Sequence, residues 1–273
     1  MVNFPFIISA PSMVFGMDLL ENVRLLAGLV NNVEIVLYNT PNIHNFPNQK
    51  EIGTLKKIGD QENVTFTVHL PASLEVASQD KKIRKESIQQ AKDLLNSLAE
   101  INPIHYILHI PFTQPTLVPV PGLYFTPECQ EKWDEWTKRA LESLEMLNET
   151  MGRSNKLLIE NINYSPFFLK PFAKSGLCDL CLDLGHLILG QENVIELIKE
   201  YLHVTKEIHL HGVKGYEEHL SLSMLSKDLV WKWLRYIIRS HFNGVINLEV
   251  FTPKDLKSSM EIVFEALREE TQE

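Results

Sequence analysis

Residues 177–186 read LCDLCLDLGH, an apolar run that stops on Asp183 and turns through Gly185 to His186. In a strand, alternate residues share a face, so Asp179, Cys181 and Asp183 lie together and Asp183 can point over a barrel axis. The same pattern recurs outward in both directions. TFTVHL reaches His69, YILHI reaches His109, LLIE ends on Glu160, EIHL carries His209 and INLE ends on Glu249. With 35 acids and 10 histidines among 273 residues, six such endings would arise by chance on the order of once in 10^5 trials, or about once in 10^3 after allowing for the choice of strand ends. The carboxyl ends of strands are where parallel α/β barrels keep their chemistry.

The rest of the chain alternates in the same way. Strands are expected near 4–9, 33–38, 64–69, 105–110, 156–160, 179–183, 206–211 and 244–249. Helices are expected near 18–29, 48–61, 80–100, 128–152, 166–175, 191–202, 226–241 and 255–270. Apolar residues in the helical segments recur every three or four positions, as in Ile88, Ala91, Leu95 and Leu98. Eight strand–helix units without a linker or repeat predict one α/β domain over 1–273, a (β/α)8 TIM barrel. The longest irregular stretch, Pro111 to Pro127, follows the fourth strand and is expected to wall the pocket or close over it.

Composition narrows the function classes. The 44% apolar, 22% charged chain is that of a globular protein with a sizeable core, and its net charge of -9 opposes a nucleic-acid partner. Cys129, Cys178 and Cys181 do not form a disulfide framework, which suits a reducing cytoplasm. The CxxC pair lies within a strand run and is read as packing. The first residues, MVNFPFIISAPSMVF, lack a basic leader and are too short an apolar run for a bilayer, so no membrane association is expected.

Imidazoles mixed with carboxylates suit divalent ions, zinc or manganese. Besides the six strand-end residues, His186 follows Asp183, and the loop GVKGYEEHLSL offers Glu217, Glu218 and His219. That is more than one ion needs, so two or three ions sharing a carboxylate are expected, with Glu160 as the bridge. His209 and His211 share a face, and His209 is the better ligand. Glu34 and Tyr38 share a face of the second strand, where either a substrate contact or a layer-filling role is open. Lys214 could meet a phosphate or simply be exposed. His44, His105, His203 and His241 are read as structural or solvated, and Trp133 and Trp136 as packing. No P-loop, GxGxxG after a strand or GxSxG elbow is present.

The order His, His, Glu, Asp-x-x-His, His, x-x-His, Glu over strands three to eight resembles the xylose isomerase-like barrel superfamily. Its endonuclease IV-like branch carries three zinc ions. The resemblance implies one ion on His69, His109 and Glu160. A second would share Glu160 and use Asp183, His209 and Glu249, and a third would use His186, Glu217 and His219. That branch has Asp two residues before the last histidine, where this chain has Glu217. Over nearly the whole chain, ENVRLLAGLVNNVEIVLYN (21–39), FTVHLP (66–71), YILHI (106–110), IENINY (159–164), CLDLGHL (181–187), IHLHGV (208–213), HLSL (219–222) and NLEVF (247–251) resemble the cobamide-remodelling phosphodiesterases. That resemblance implies a cytoplasmic enzyme with a corrinoid substrate. It would hydrolyse the nucleotide-loop phosphoester of adenosylated cobamides to cobinamide phosphate and a base riboside, depending most on Glu160, His209 and Glu249.

Three other readings compete. A single-metal sugar isomerase or epimerase needs only Glu160, Asp183, His209 and Glu249, with acids shuttling a proton. A DNA-repair endonuclease is opposed by the acidic charge and the lack of a basic, aromatic-laced stretch. A non-catalytic corrinoid- or sugar-binding barrel could keep the metal without turnover.

Overall fold

The strands form because their residues are apolar on both faces, and such strands are stable only between two layers. NVEIV, LLIE and VINL are buried throughout. In a computed structural model describing residues 5–112, 127–152, 156–162 and 164–270, the chain runs as follows. It begins β1 (Ile7–Pro11), α1 (Leu19–Ala27), β2 (Asn32–Val36), α2 (Gln49–Glu62), β3 (Thr65–His69), α3 (Lys81–Leu98), β4 (Tyr106–Leu108) and α4 (Pro127–Thr150). β5 (Leu157–Glu160), α5 (Lys170–Ser175), β6 (Asp179–Asp183), α6 (Leu184–Leu189), α7 (Val194–Tyr201) and β7 (Thr205–Leu210) follow. The chain closes with β8 (Gly212–Lys214), β9 (Glu217–Leu220), α8 (Lys227–Arg239), β10 (Val245–Leu248) and α9 (Pro253–Glu270).

Eight strands close in the order β1-β10-β7-β6-β5-β4-β3-β2, each pair parallel. The (β/α)8 barrel expected from the alternation is therefore the fold. Helices cover it with apolar stripes; α8 turns Val230, Trp233, Leu234 and Ile237 inward. α2 is fixed at its start by a capping box between Asn48 and Glu51. Register sets the functional end. Asp183 pairs with His209, His209 with Asn247, and Val36 with His69, so these strand ends come level at one mouth.

The departures from expectation have local causes. Among the described residues β1 begins at Ile7, which donates to the Gly244 carbonyl at 2.9 Å, and Pro5 has no N–H to offer the ladder. The helix expected over 166–175 splits into a 3-10 turn, Pro166–Leu169, and α5, because Pro171 cannot donate within one continuous helix. The turn expected after Asp183 is the helix α6, with Asp183 as its N-cap. Gly185 is not bent into the left-handed region. The expected loop after His211 is a hairpin, β8–β9, turning at Gly215 with φ of 64°. The wall or lid expected over 111–127 falls mostly outside the described residues.

Cys178 packs in the outer core while Cys181 joins Ile107 and Leu158 inside the barrel, so the pair does not face one ligand. Trp133 and Trp136 are buried against each other and against Phe168 and Phe112, as packing predicts. No helix among the described residues is long and apolar enough to cross a membrane.

Gly244 sits where β10 meets both neighbours. An added Cβ would overlap the Lys206 carbonyl on one side and the Phe242 ring on the other. Backbone cannot rotate aside, so Gly244→Ala should lower unfolding free energy by about 1–3 kcal/mol. Urea unfolding measures it, and an unchanged midpoint would contradict the close approach.

Candidate metal centre

Six of the eight barrel strands deliver a side chain to the same mouth. His69 ends β3, Glu160 ends β5 and Asp183 ends β6; His209 is next to last in β7. His109 and Glu249 lie one residue beyond β4 and β10. The ligand atoms of His69, His109 and Glu160 form one compact group, and those of Glu160, Asp183, His209 and Glu249 form a second. Glu160 belongs to both. Its Oε2 lies 3.0 Å from His69 Nε2 and 3.0 Å from His109 Nε2, while its Oε1 lies 3.4 Å from His209 Nδ1.

The second group passes a test of fit. Asp183 Oδ2, His209 Nδ1 and Glu249 Oε2 are buried and have no hydrogen-bond partner among the described residues. His209 Nδ1 faces Glu249 Oε2 at 3.3 Å and Asp183 Oδ2 at 3.9 Å. Ligands about 2.1 Å from a tetrahedral ion lie about 3.4 Å apart. Orphaned polar atoms are costly in a protein interior unless something unites them, and a divalent ion does so at this spacing.

Second contacts fix which nitrogen faces the centre. His69 donates from Nδ1 to the Leu70 carbonyl at 2.9 Å, leaving Nε2 toward Glu160. His209 donates from Nε2 to Glu34 Oε2 at 3.0 Å, leaving Nδ1 toward the three acids. Glu34 is fully buried, so the structure resolves the open question of its role: it orients His209 from below. Asn161 ties two strands, accepting from the Asp183 N–H and donating to the Asp183 carbonyl, both at 2.8 Å.

A third group forms beside α6. His186 donates from Nδ1 to the Asn161 carbonyl at 3.0 Å and turns Nε2 toward Glu218 Oε2 at 3.6 Å. His219 donates from Nδ1 to the Glu249 carbonyl at 3.3 Å and turns Nε2 toward Glu218 Oε1 at 3.8 Å. Glu217 and Glu218 are both exposed and neither belongs to the compact ligand groups, but Glu218 is the one whose carboxylate faces His186 and His219. Strict strand alternation would put Glu217 on the face of His219, but the left-handed backbone of His219, φ 56°, breaks that alternation. The ligand atoms that form a compact group here are those of His186, His211 and His219, so His211, ranked below His209, stands among them.

Electrostatics keep the acids ionised. Burial alone would raise the Glu160 carboxyl, yet the charges of His209 and His109 hold it well below the usual range. Glu249 is likewise held well below by His209 against burial, and Asp183 is lowered by His186 and His211. Burial opposes protonation of His69, but its bond to Glu160 prevails and raises it to about 9. Cys181 lies within reach of Glu160 and His209. Burial pushes its thiol well above the ordinary value, which disfavours the thiolate a metal would need. Tyr38 stands half-buried at the rim, its hydroxyl raised by burial and then by Glu249 and Glu34. Lys214 is exposed on β8. His105 lies below the site, its Nδ1 3.6 Å from Glu207 Oε2.

Comparison with known proteins bears on the fold and the family. No curated protein sequence matches the chain. Among solved structures, a D-tagatose 3-epimerase-like protein is 21% identical, with TM-score 0.78 and coverage of 96% of this chain and 97% of that one. A 3-keto-D-glucoside 4-epimerase from E. coli is 13% identical, with TM-score 0.69 and coverage of 96% and 98%. Endonuclease IV from Thermus thermophilus is 15% identical, with TM-score 0.66 and coverage of 96% and 99%. At these identities the likeness is one of fold. The family model described as "Xylose isomerase-like TIM barrel" matches residues 27–270, and the chain belongs to that family.

Proposed function

We propose that the chain is a metal-dependent phosphodiesterase holding two or three divalent ions, zinc or manganese. One ion would lie on His69, His109 and Glu160, and a second on Glu160, Asp183, His209 and Glu249. A third would lie on His186, His219 and Glu218. The observation that carries this reading is the convergence of His69 and His109 on Glu160 Oε2, each at 3.0 Å. A one-ion isomerase has no need of two imidazoles there. The substrate proposed is the nucleotide-loop phosphoester of an adenosylated cobamide, supported by the segments of residues 21–39, 66–71, 159–164, 181–187, 208–213 and 247–251 that resemble cobamide-remodelling enzymes. The net charge of -9 makes a DNA backbone the poorer phosphodiester substrate.

When bound, such ions supply Lewis acidity, lowering the pKa of water and offsetting charge on phosphoryl oxygens. The chain's own part is positional. Glu160 presents Oε2 to one group and Oε1 to the next, so its carboxylate links them. Glu34 and the Leu70, Asn161 and Glu249 carbonyls hold His209, His69, His186 and His219 in one tautomer each. Ile107, Leu158 and Cys181 are fully buried within the barrel and exclude water from it.

A second reading is a one-ion sugar epimerase. The comparisons back this reading better than the first, since the similar solved structures are mainly sugar epimerases, and the group of Glu160, Asp183, His209 and Glu249 suffices for that chemistry. Elemental analysis with a cleavage assay separates the two. The phosphodiesterase reading expects at least two ions per chain, loss of one in His69→Ala, and release of a base riboside that Glu160→Gln abolishes. One ion per chain, unchanged in His69→Ala, together with ketose epimerisation, would favour the epimerase.

Metal uptake should also release protons, because the raised His69 holds a proton below about pH 9 that an ion must displace. Affinity therefore rises with pH up to that value. Calorimetry in two buffers of different ionisation enthalpy reads the release, and identical heats in both would contradict it.

A further inference from the structure

His211 is fully buried beside Asp183, His186 and His219, and the proposed centre makes no use of it. Its two nitrogens have different neighbours. The backbone N–H of His219 points at His211 Nδ1 at 2.9 Å. An N–H can only donate, so Nδ1 is the unprotonated nitrogen and the proton sits on Nε2. The Gly212 carbonyl, 3.2 Å from Nδ1, would suit the opposite tautomer, but that tautomer would set two N–H groups against each other.

His211 Nε2 lies 3.3 Å from Asp183 Oδ1. The same oxygen accepts the His186 backbone N–H at 2.6 Å, while Asp183 Oδ2 has no partner among the described residues. His211 Nε2 has no hydrogen-bond partner among the described residues, and Asp183 Oδ1 is the carboxylate oxygen it faces, so a small turn of the ring would engage Oδ1 from two sides and leave the other oxygen for an ion. A nitrogen that carries this proton cannot ligate a metal through the same lone pair.

The surroundings accommodate this ring specifically. A Cβ on Gly185 would overlap the His211 imidazole, so glycine in α6 is what admits the ring beside Asp183. His219 adopts φ of 56°, a conformation that a non-glycine residue takes only at a cost, and from it directs its N–H at His211. The two rings lie 4.4 Å apart, centroid to centroid, at 34°.

We propose that His211 is a positioning residue, donating from Nε2 to Asp183 Oδ1 so that Oδ2 alone faces the ion, and that it is not itself a ligand. This rests on the reading of Asp183 as a ligand. Outer contacts of this kind typically change metal affinity 10–100-fold without changing ligand number.

The test is zinc binding to the purified chain, by elemental analysis at saturation and by titration against a chromophoric chelator. His211→Leu should keep the wild-type number of ions but bind one of them 10–100-fold more weakly, and His211→Gln, which restores an N–H donor, should recover most of that loss. If the leucine variant does not fold, His211→Asn, too short to reach Asp183, should show the same weakening. Loss of one whole ion in both the leucine and glutamine variants would make His211 a ligand and overturn the proposal. Wild-type affinity in the leucine variant, with only a lower melting temperature of the metal-free protein, would reduce His211 to packing and also overturn it. A wild type that binds no zinc would sink the metal-centre reading itself, and this proposal with it.

Discussion

One nitrogen of each of four imidazoles is tied to a fixed acceptor, and the arrangement of the mouth depends on that constraint. His69 is held by the Leu70 carbonyl, His186 by that of Asn161, His219 by that of Glu249, and His209 by the Glu34 carboxylate. Three of these acceptors are backbone, fixed by the barrel itself. The remaining nitrogens have no freedom to turn away, so His209 Nδ1 stays buried against Asp183 and Glu249 without a hydrogen bond of its own. Rigid, pre-set donors of this sort lower the cost of ordering a metal site.

The barrel and the site are coupled through strand register. A slip of one residue in β7 would carry His209 to the outer face and replace it with Ile208 or Leu210. The pairings Asp183 with His209 and His209 with Asn247 therefore fix both the fold and the ligand geometry. Asn161 reinforces them with two bonds across β5 and β6.

The strand ends were legible in the sequence because apolar runs ending on His, Glu or Asp reflect a two-residue period and a common polarity. His69, His109, Glu160, Asp183, His209 and Glu249 come to one mouth for that reason. What escaped was set by backbone detail that periodicity does not carry. The sequence offers both Glu217 and Glu218 without choosing, and it is Glu218 that faces His186 where the left-handed His219 breaks the alternation. α6 was read as a turn because six residues are too few to show a helical period. Glu34 could be placed on the inward face, but its bond to His209 spans 175 positions and no local pattern records it. The fold itself does not choose the reaction: the same barrel shape is shared with an epimerase, an epimerase-like protein and an endonuclease.

Anomalous diffraction at the zinc edge from crystals of the zinc-loaded protein tests the central claim most directly. The account predicts one peak among His69 Nε2, His109 Nε2 and Glu160, and another among Asp183 Oδ2, His209 Nδ1 and Glu249 Oε2. Peaks confined to the outer surface, with the strand-end side chains turned from a common point, would contradict it.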